Sequence, residues 1–323
     1  MSKKLAITEA PQFNDEDAAR EYLEKVRWNG EPVCPHCGSL GDHYELDGEA
    51  HRKGVWKCQD CREQFTVTVG TVFERSHIPL HKWLLAAYLL CSSKKGVSSR
   101  QLQRTLSVTY KTAWFLSHRI RKAMEGSGGT DLMGSGGNVV EADETYIGRK
   151  RGVRRRRGGH HKNMVFALVE RGGRVRAQHI IAGSEFNQIK KYLKSNVSPD
   201  ARLATDEAKM YRKIGKKFAE HLAVNHSKDE YVRGDASTNT IESFFAVFKR
   251  GMTGVYQHCS QDHVKRYLAE FEYRYNNRMA LGVDDIERTN TVLENIGGRR
   301  LVYRRPDKAA GPTSTTEIPE VPF

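Results

Sequence analysis

The spacing of apolar residues divides the chain into a helical region followed by a region rich in strands. In the helical region, apolar side chains recur every three to four positions, which predicts helices over residues 80–91, 98–106 and 110–124. Ser98 is a good N-cap residue for the second of these helices. The apolar side chains of the third helix share one stripe. Its basic and polar side chains fall on other faces, at Lys111, His118, Arg119 and Lys122.

A short helix, a tight turn and a basic amphipathic helix form the pattern of a helix-turn-helix, whose last helix can enter the major groove of DNA. The alternative is a plain helical hairpin with a solvated basic face. Residues 79–124 contain nine basic side chains and no Asp or Glu. This absence of acids favours DNA binding.

Beyond residue 138 the pattern changes to short apolar or alternating runs, some separated by helical segments. Strands are predicted at residues 139–147, 164–170, 174–182, 201–205 and 220–225, and helices at residues 187–195, 207–218 and 240–252. Three strands followed by alternating helices and strands predict an α/β domain, with a mixed sheet flanked by helices.

Two Cys-x-x-Cys pairs precede the helical region. Cys34 and Cys37 form the first pair, Cys58 and Cys61 form the second, and twenty residues separate them. This spacing is typical of four-cysteine zinc ribbons, in which each pair supplies two thiolates to one tetrahedral metal. Four thiolates leave no open coordination position, so one structural Zn2+ is expected. Two disulfides are the alternative, and they fit a cytoplasmic chain poorly.

Composition adds the domain boundaries. Residues 126–137 contain six glycines in twelve positions, which predicts a flexible linker, and residues 306–323 are rich in proline and poor in apolar side chains, which predicts disorder. The predicted order is an N-terminal helical segment at 1–33, a zinc ribbon at 34–75, a helix-turn-helix domain at 76–125, the linker at 126–137, a C-terminal α/β domain at 138–305 and a disordered tail at 306–323.

The charge of the chain indicates an acidic partner. The formal net charge is +14 and the isoelectric point is near 9.5, which usually indicates nucleic acid, although a basic surface can serve solubility alone. Seven of the nine residues from Arg149 to Arg157 are Arg or Lys. The chain has no long apolar run and no signal-peptide core, so a cytoplasmic location is expected, with nucleoid association when the protein is bound to DNA.

Three carboxylates stand out by their placement in the strand-rich region. Asp143 lies inside the first predicted strand, Asp206 follows the fourth, and Glu242 lies in the last predicted helix. Glu144 must face the opposite side of the sheet from Asp143, because strand side chains alternate. A carboxylate in a polyanion-binding protein is useful when a divalent cation joins it to a phosphate. Simpler roles are also possible, since Asp206 could cap a helix, Glu242 could belong to a capping box and Asp143 could pair with an arginine.

Several segments together resemble prokaryotic insertion-sequence transposases that join a zinc ribbon and a helix-turn-helix to a DDE catalytic core. The resemblance covers roughly residues 15–300. Its motifs are the two cysteine pairs, the segment from Thr112 to Arg121, Asp143-Glu-Thr-Tyr-Ile-Gly148, Thr205-Asp206 with Tyr211, Thr238-Asn-Thr-Ile-Glu242-Ser-Phe-Phe, and Arg274-Tyr-Asn-Asn-Arg278.

The resemblance implies a ribonuclease-H-like core in which Asp143, Asp206 and Glu242 form the acidic triad. Some members of this kind carry Asn at the third acidic position, whereas this chain has Glu. Three crowded carboxylates require neutralisation, which two Mg2+ ions (Mn2+ is possible) would provide while they clamp a scissile phosphate. The expected chemistry is in-line hydrolysis at the element ends, followed by strand transfer into target DNA. No covalent enzyme intermediate is needed.

The expected partners are the terminal inverted repeats of the element and the target DNA. Joining two ends requires at least a dimer on DNA. The candidate DNA contacts are Lys111, Thr112, Arg119, Lys122, Arg149, Lys150, Arg151, Arg154 and Arg155. The alternative functions are a non-catalytic DNA-binding regulator and a stand-alone metal-dependent nuclease. The full triad argues against the first, and the two predicted DNA-recognition modules argue against the second.

Overall fold

The N-terminal part of the protein surrounds a small antiparallel sheet with helices. The structure is a computed structural model that describes residues 6–150, 152–155, 159, 161–206, 209–224, 232–233, 236–257, 259–299 and 301. Helix α1 (Glu16–Trp28) is followed by strands β1 (His43–Glu45), β2 (Trp56–Cys58) and β3 (Gln64–Phe65), which pair in that order. The rings of Trp28 and Phe65 meet edge to face, so α1 packs directly against this sheet.

Three helices follow where the hydrophobic spacing predicts them. They are α2 (Leu80–Ser92), α3 (Ser99–Leu106) and α4 (Tyr110–Ala123). The side chain of Ser98 accepts a hydrogen bond from the backbone nitrogen of Gln101, and Thr109 caps α4 in the same way. Ser107 has a φ of 50°, which reverses the chain between α3 and α4. These caps and this turn give the helix-turn-helix its shape.

A five-stranded mixed sheet forms the C-terminal part. In chain order its elements are β4 (Val139–Ile147), β5 (Asn163–Glu170), β6 (Val175–Ile180), α5 (Glu185–Asn196), β7 (Arg202–Thr205), α6 (Lys209–Gly215) and β8 (Glu220–Ala223). The spatial order is β6-β5-β4-β7-β8, so β4 is central. It pairs antiparallel with β5 and parallel with β7. The expected mixed α/β sheet flanked by helices is therefore confirmed.

Helices cover both faces of this sheet. After the short strands β9 (Val232–Arg233) and β10 (Ala236–Ser237) come α7 (Asn239–Gly251), α8 (Val264–Asn276) and α9 (Asp285–Glu294). One face of the sheet packs on α5 and α6, and the other packs on α7 and α8. The side chains of β4 alternate between these two apolar cores, because neighbouring strand residues point in opposite directions.

The last helix, α9, packs against the N-terminal part of the protein. The predicted C-terminal α/β domain extended to residue 305, but Val292 and Leu293 of α9 are buried in the N-terminal apolar core, beside α1 and α2. Tyr273, near the end of α8, reaches the same core. The two parts of the chain therefore share a packed boundary. The predicted disordered tail at 306–323 lies outside the described residues.

The glycine-rich segment 126–137 lies fixed against the sheet domain, contrary to the flexible linker that its composition predicts. Met133 is buried, its backbone nitrogen donates to the carbonyl of Asn196, and its carbonyl accepts from Ser198, both at 2.8 Å. Arg176 donates to the carbonyl oxygen of Gly128 at 2.8 Å. One apolar anchor and these hydrogen bonds outweigh the conformational freedom of the glycines. None of the helices in the described ranges is long and apolar enough to cross a membrane.

Candidate active site and zinc centre

The four cysteines of the two Cys-x-x-Cys pairs converge on one point. The distance between the Sγ atoms of Cys34 and Cys61 is 3.7 Å, as is that between Cys37 and Cys58, and all four Sγ atoms lie within 4.8 Å of one another. Tetrahedral zinc with Zn–S bonds of about 2.3 Å requires sulfur–sulfur distances of about 3.8 Å. The cluster therefore fits one structural Zn2+ with no open ligand position.

Both cysteine knuckles have the same backbone form. The nitrogen of Gly38 donates to the carbonyl of Cys34 at 2.9 Å, and the nitrogen of Arg62 donates to that of Cys58 at 3.1 Å. Gly38 and Arg62 both have positive φ, at 77° and 63°. Two matching turns present two thiolates each, which is how a zinc ribbon divides its ligands.

Asp143 and Asp206 occupy neighbouring positions on neighbouring strands. In the parallel pairing of β4 with β7, Ala142 is the partner of Thr205, and the two acids come one residue later on each strand. Asp143 belongs to the face of β4 that packs on α7 and α8, because Ile147 of the same alternation lies in that core. The sheet thus places the first two predicted acids beside each other, Asp143 in the middle of β4 and Asp206 directly after β7.

Glu242 lies on the helix that covers this face. Ile241 and Phe244 of α7 are buried with Val165 and Ala167 of β5, which sets α7 over the sheet, while Glu242 is exposed. The hydroxyl of Thr238 donates to Oε1 of Glu242 at 3.1 Å. This bond joins the carboxylate of Glu242 to a side chain, whereas a capping box would join it to the backbone nitrogen of the N-cap residue.

The surroundings of Asp143 disfavour the ionised form of its carboxyl. Burial raises the pKa of the Asp143 carboxyl to about 7, and the charges of Glu144, Asp206 and Glu242 act in the same direction. A hydrogen bond from the backbone nitrogen of Glu144, 2.7 Å from Oδ1, opposes this increase in the pKa. In the described part of the chain, the three acids do not converge as tightly as the thiolates do.

Glu144 lies on the opposite side of β4 from Asp143. Its carboxylate accepts a hydrogen bond of 2.5 Å from the hydroxyl of Tyr211, a buried residue of α6. Burial raises the pKa of Glu144, and the charge of Asp206 adds to this increase. Alternation therefore separates the two side chains, but Glu144 remains close enough to influence the pKa of Asp143.

Glu141 is an acid that sequence reasoning missed. Its side chain is fully buried two residues before Asp143 and on the same face of β4. It accepts hydrogen bonds from the backbone nitrogen of Ile241 at 2.9 Å, from Thr240 Oγ1 at 3.0 Å and from Arg171 Nε at 2.7 Å. The sequence signal for Glu141 was a charged residue at a strand position whose side chain faces the apolar core.

Arg119, which was predicted to contact DNA, packs against the protein itself. Only 6% of its surface is exposed, and its guanidinium donates to the carbonyl oxygen of Glu74 at 2.7 Å and lies over the ring of Trp83. His118 is also buried. The segment before α2 and α2 itself cover the side of α4 that carries Arg119. The apolar stripe of α4 alone did not indicate this contact.

The other predicted contacts on α4 differ in exposure. Lys111 is exposed, Thr112 is half-buried beside its capping partner, and Lys122 is half-buried in an ion pair with Glu125. Tyr110, which was not predicted, is 43% exposed and lies 4.4 Å below the guanidinium of Arg100. The start of α4 and the outer face of α3 thus present exposed basic and aromatic side chains: Arg100, Arg104, Tyr110 and Lys111.

The described residues of the basic run after β4 lie mostly at the surface. Arg149 donates to the carbonyl oxygen of Val153, Arg154 and Arg155 are exposed, and Lys150 is half-buried. Arg151 lies outside the described residues.

Asn276 and Arg278, in the last motif of the resemblance, hold the start of β6 in place. Both Asn276 amide atoms bond to the backbone of Val175, and Arg278 donates to the carbonyl of Gly173. Their bonds are those of positioning residues.

A four-cysteine cluster, a group of three helices and a mixed α/β core that carries Asp143, Asp206 and Glu242 are the features expected of a DDE transposase. Residues 134–276 match the ISXO2-like transposase domain, and residues 14–64 match the transposase zinc-ribbon domain. The chain therefore belongs to the family of insertion-sequence transposases that these two domains characterise.

A relative from Halobacterium salinarum supports this assignment. It is described as an uncharacterized protein in transposable element ISH50, and it is 29% identical over 302 residues, which cover 87% of this chain and 97% of the relative. The first match ends at Asn276, the last residue of α8. This boundary agrees with the packing of α9 against the N-terminal part.

Proposed function

We propose that this transposase binds the terminal repeats of its element and catalyses metal-dependent strand cleavage and strand transfer, with Asp143, Asp206 and Glu242 as the metal-binding acids. The observation that carries this proposal is the pairing of β4 with β7, which supports adjacent positions for Asp143 and Asp206. The raised pKa of Asp143, to which the charges of Asp206 and Glu242 contribute, supports the inclusion of the third acid.

The donor set suits hard divalent cations. Three carboxylates supply oxygen ligands, which Mg2+ and Mn2+ prefer. Two bound Mg2+ ions would supply charge neutralisation, polarisation of the scissile phosphate and activation of the attacking hydroxyl. Asp143 provides the most rigid ligand, because β4 is hydrogen-bonded to strands on both sides. Glu242 extends from a helix, so its position depends on how α7 sits on the sheet.

The reaction needs no nucleophile from the protein. Water attacks the phosphate at an element end, and the freed 3′ hydroxyl then attacks target DNA in line with the leaving 3′ oxygen. The role of the chain is to hold the acids, orient both DNA strands and balance phosphate charge. The protein scaffold contributes by positioning these groups before the reaction, which is the main source of catalysis in phosphate transfer.

The exposed side chains of the helix-turn-helix are proposed to recognise the terminal repeats. Lys111 and Tyr110 lie at the start of the last helix, where such helices approach base edges, and Arg100 and Arg104 extend this surface along α3. Arg149, Arg154 and Arg155, beyond the end of β4, are proposed to contact phosphates near the acids. Both surfaces make binding depend steeply on salt.

Strand transfer of two ends implies a paired assembly. We propose a homodimer or a larger complex that forms on DNA and associates with the nucleoid while bound. Size measurement of the protein with and without duplexes of the element end tests this. A single chain bound per end, with no joined complex under cleavage conditions, would refute it.

Cleavage of a labelled element-end duplex in Mg2+ tests the assignment of the acids. Asp143→Asn, Asp206→Asn and Glu242→Gln are each expected to lower the cleavage rate at least about a thousandfold while the affinity for DNA is retained. Glu220→Gln, on the exposed edge strand β8, is the matched control and should cleave as the wild type does. Wild-type cleavage by any one of the three variants would remove that residue from the site.

A further inference from the structure

We propose that Glu141 is a positioning residue, which acts with Arg171 to fix the helix carrying Glu242 relative to Asp143. This inference rests on the proposed function, because it assigns Glu141 a purpose only if Glu242 is a metal-binding acid. It concerns a buried carboxylate that the resemblance to transposases did not single out.

Glu141 supplies the hydrogen-bond acceptor for the first turn of α7. The first backbone nitrogens of a helix have no acceptor within the helix, and usually the N-cap side chain provides one. Thr238 occupies the N-cap position but makes no capping hydrogen bond, and its hydroxyl donates to Glu242 instead. The carboxylate of Glu141 accepts from the nitrogen of Ile241 and from the hydroxyl of Thr240. The central strand thus caps the helix that lies over it.

Arg171 joins the buried acid to the chain that leads into α7. Its Nε donates to Glu141 at 2.7 Å, and its second terminal nitrogen donates to Ser237 at both the carbonyl oxygen, 3.0 Å, and Oγ, 2.7 Å. Its backbone nitrogen donates to the carbonyl of Val139 at 3.1 Å. Arg171 therefore balances the charge of Glu141 and ties the residue before the N-cap of α7 to the start of β4.

The spacing of these contacts links them to the acids. Glu141 and Asp143 are two residues apart on one face of β4, and Ile241 directly precedes Glu242 on α7. The hydrogen bond from Ile241 to Glu141 therefore sets how far along β4 the Glu242 carboxylate lies. A shift of about 1 Å in a supporting element is enough to impair a metal or catalytic site. Phe244, Phe245 and Phe248 already anchor α7 in the apolar core, so the pair of buried Glu141 and partly exposed Arg171 contributes position rather than apolar packing.

The test measures Mg2+ binding without catalysis, by the increase in unfolding temperature as Mg2+ is added to the purified full-length protein. Glu141→Gln is expected to raise about tenfold the Mg2+ concentration that gives half of the full increase in unfolding temperature. A factor of this size is typical of residues that orient metal ligands. Thr240→Val should also raise this Mg2+ concentration, whereas Thr240→Ser, which keeps the hydroxyl, should have the wild-type value. Thr240→Val also serves if Glu141→Gln does not fold.

Glu272→Gln is the matched control. Glu272 on α8 also accepts a backbone hydrogen bond, from Ala177 at 3.2 Å, but on β6 at the sheet edge. It should change the unfolding temperature and leave the Mg2+ concentration dependence unaltered. A wild-type Mg2+ dependence in both Glu141→Gln and Thr240→Val would overturn the inference, as would an equal effect of Glu272→Gln.

Glu242→Gln separates this inference from the proposed function. If Glu141 acts through Glu242, then adding Glu141→Gln to Glu242→Gln should weaken Mg2+ binding no further. Additive weakening would overturn the positioning role while leaving the metal site intact. A wild-type Mg2+ dependence for Glu242→Gln alone would instead refute the proposed role of the third acid.

Discussion

The guanidinium of Arg121 donates a 2.6 Å hydrogen bond to the carboxylate of Glu270, and both side chains are almost completely buried. Arg121 lies on the last helix of the helix-turn-helix, and Glu270 lies on α8 of the sheet domain. Arg274 and Tyr256 also donate to Glu270. Helix α4 and the sheet domain are thus joined by a buried ionic network, which gives the two parts a defined relative position.

Breaking this network is expected to destabilise the whole protein. Arg121→Met should lower the free energy of unfolding by about 3 kcal/mol or more, because Glu270 keeps its buried charge and loses one of its partners. Urea denaturation measures this. Lys122→Met, at the next position, removes a partly exposed pair with Glu125 and should cost at most about 1 kcal/mol. Equal losses from the two substitutions would show that the buried pair does not join the domains.

Two basic residues of α4 should respond differently to substitution. Arg119→Ala should lower the unfolding temperature and leave the salt dependence of DNA binding unchanged, because its guanidinium bonds to the carbonyl of Glu74. Lys111→Ala should leave stability unchanged and reduce the slope of log affinity against log salt by about one. Titration of an element-end duplex at several salt concentrations measures the slope for each variant, and thermal unfolding measures its stability. A reduced slope for Arg119→Ala would restore it as a phosphate contact.

The purified protein should contain one zinc ion per chain, since four thiolates surround one position. Metal analysis should show that Cys58→Ser loses this zinc and unfolds the ribbon. Cys91→Ala is the control, because Cys91 is buried in the helical core and takes no part in the cluster. Folded wild-type protein without zinc would contradict the assignment.

Asp143 should make the metal-free protein less stable as the pH rises. The pKa of its carboxyl in the folded state is about 7, above the ordinary value of 3.8, so the unfolded chain loses this proton first and stability falls between about pH 4 and pH 7. Asp143→Asn removes the effect and should be more stable than the wild type at pH 8, by about 2–4 kcal/mol, with the difference vanishing near pH 4. Denaturation in a chelator at both pH values measures this. An equal difference at the two pH values would show that Asp143 is not held in this environment.

Much of the fold follows from the spacing of apolar residues, and the exceptions have physical causes. The bounds of β4 agree with its alternation, and the three helices of the helix-turn-helix agree with their period. Helix α8 was missed because Glu270 and Arg274, which are buried, interrupt its apolar pattern. Glu270 is neutralised by Arg274, four residues later on the same helix, and by Arg121 of α4, and this second partner cannot be read from local sequence.

Local sequence singled out the acids of the candidate site but not the residues that support them. The alternation of β4 separates Asp143 from Glu144, and the end of a strand singles out Asp206, both from local sequence. The hydrogen bond between Glu141 and Ile241 joins residues 100 positions apart, so its existence depends on the tertiary fold. The burial of Arg119 depends in the same way on Glu74 and Trp83, which lie outside its helix.

Strand transfer from a precut element end is the measurement on which the proposed function depends most. A duplex with a free 3′ hydroxyl, incubated with target plasmid and Mg2+, should be joined by the wild type and by Asp200→Asn, an exposed acid just before β7. Asp206→Asn, just after the same strand, should bind the duplex normally and form no joined product. Joining by Asp206→Asn at the wild-type rate would contradict a catalytic role for this acid and the mechanism built on it.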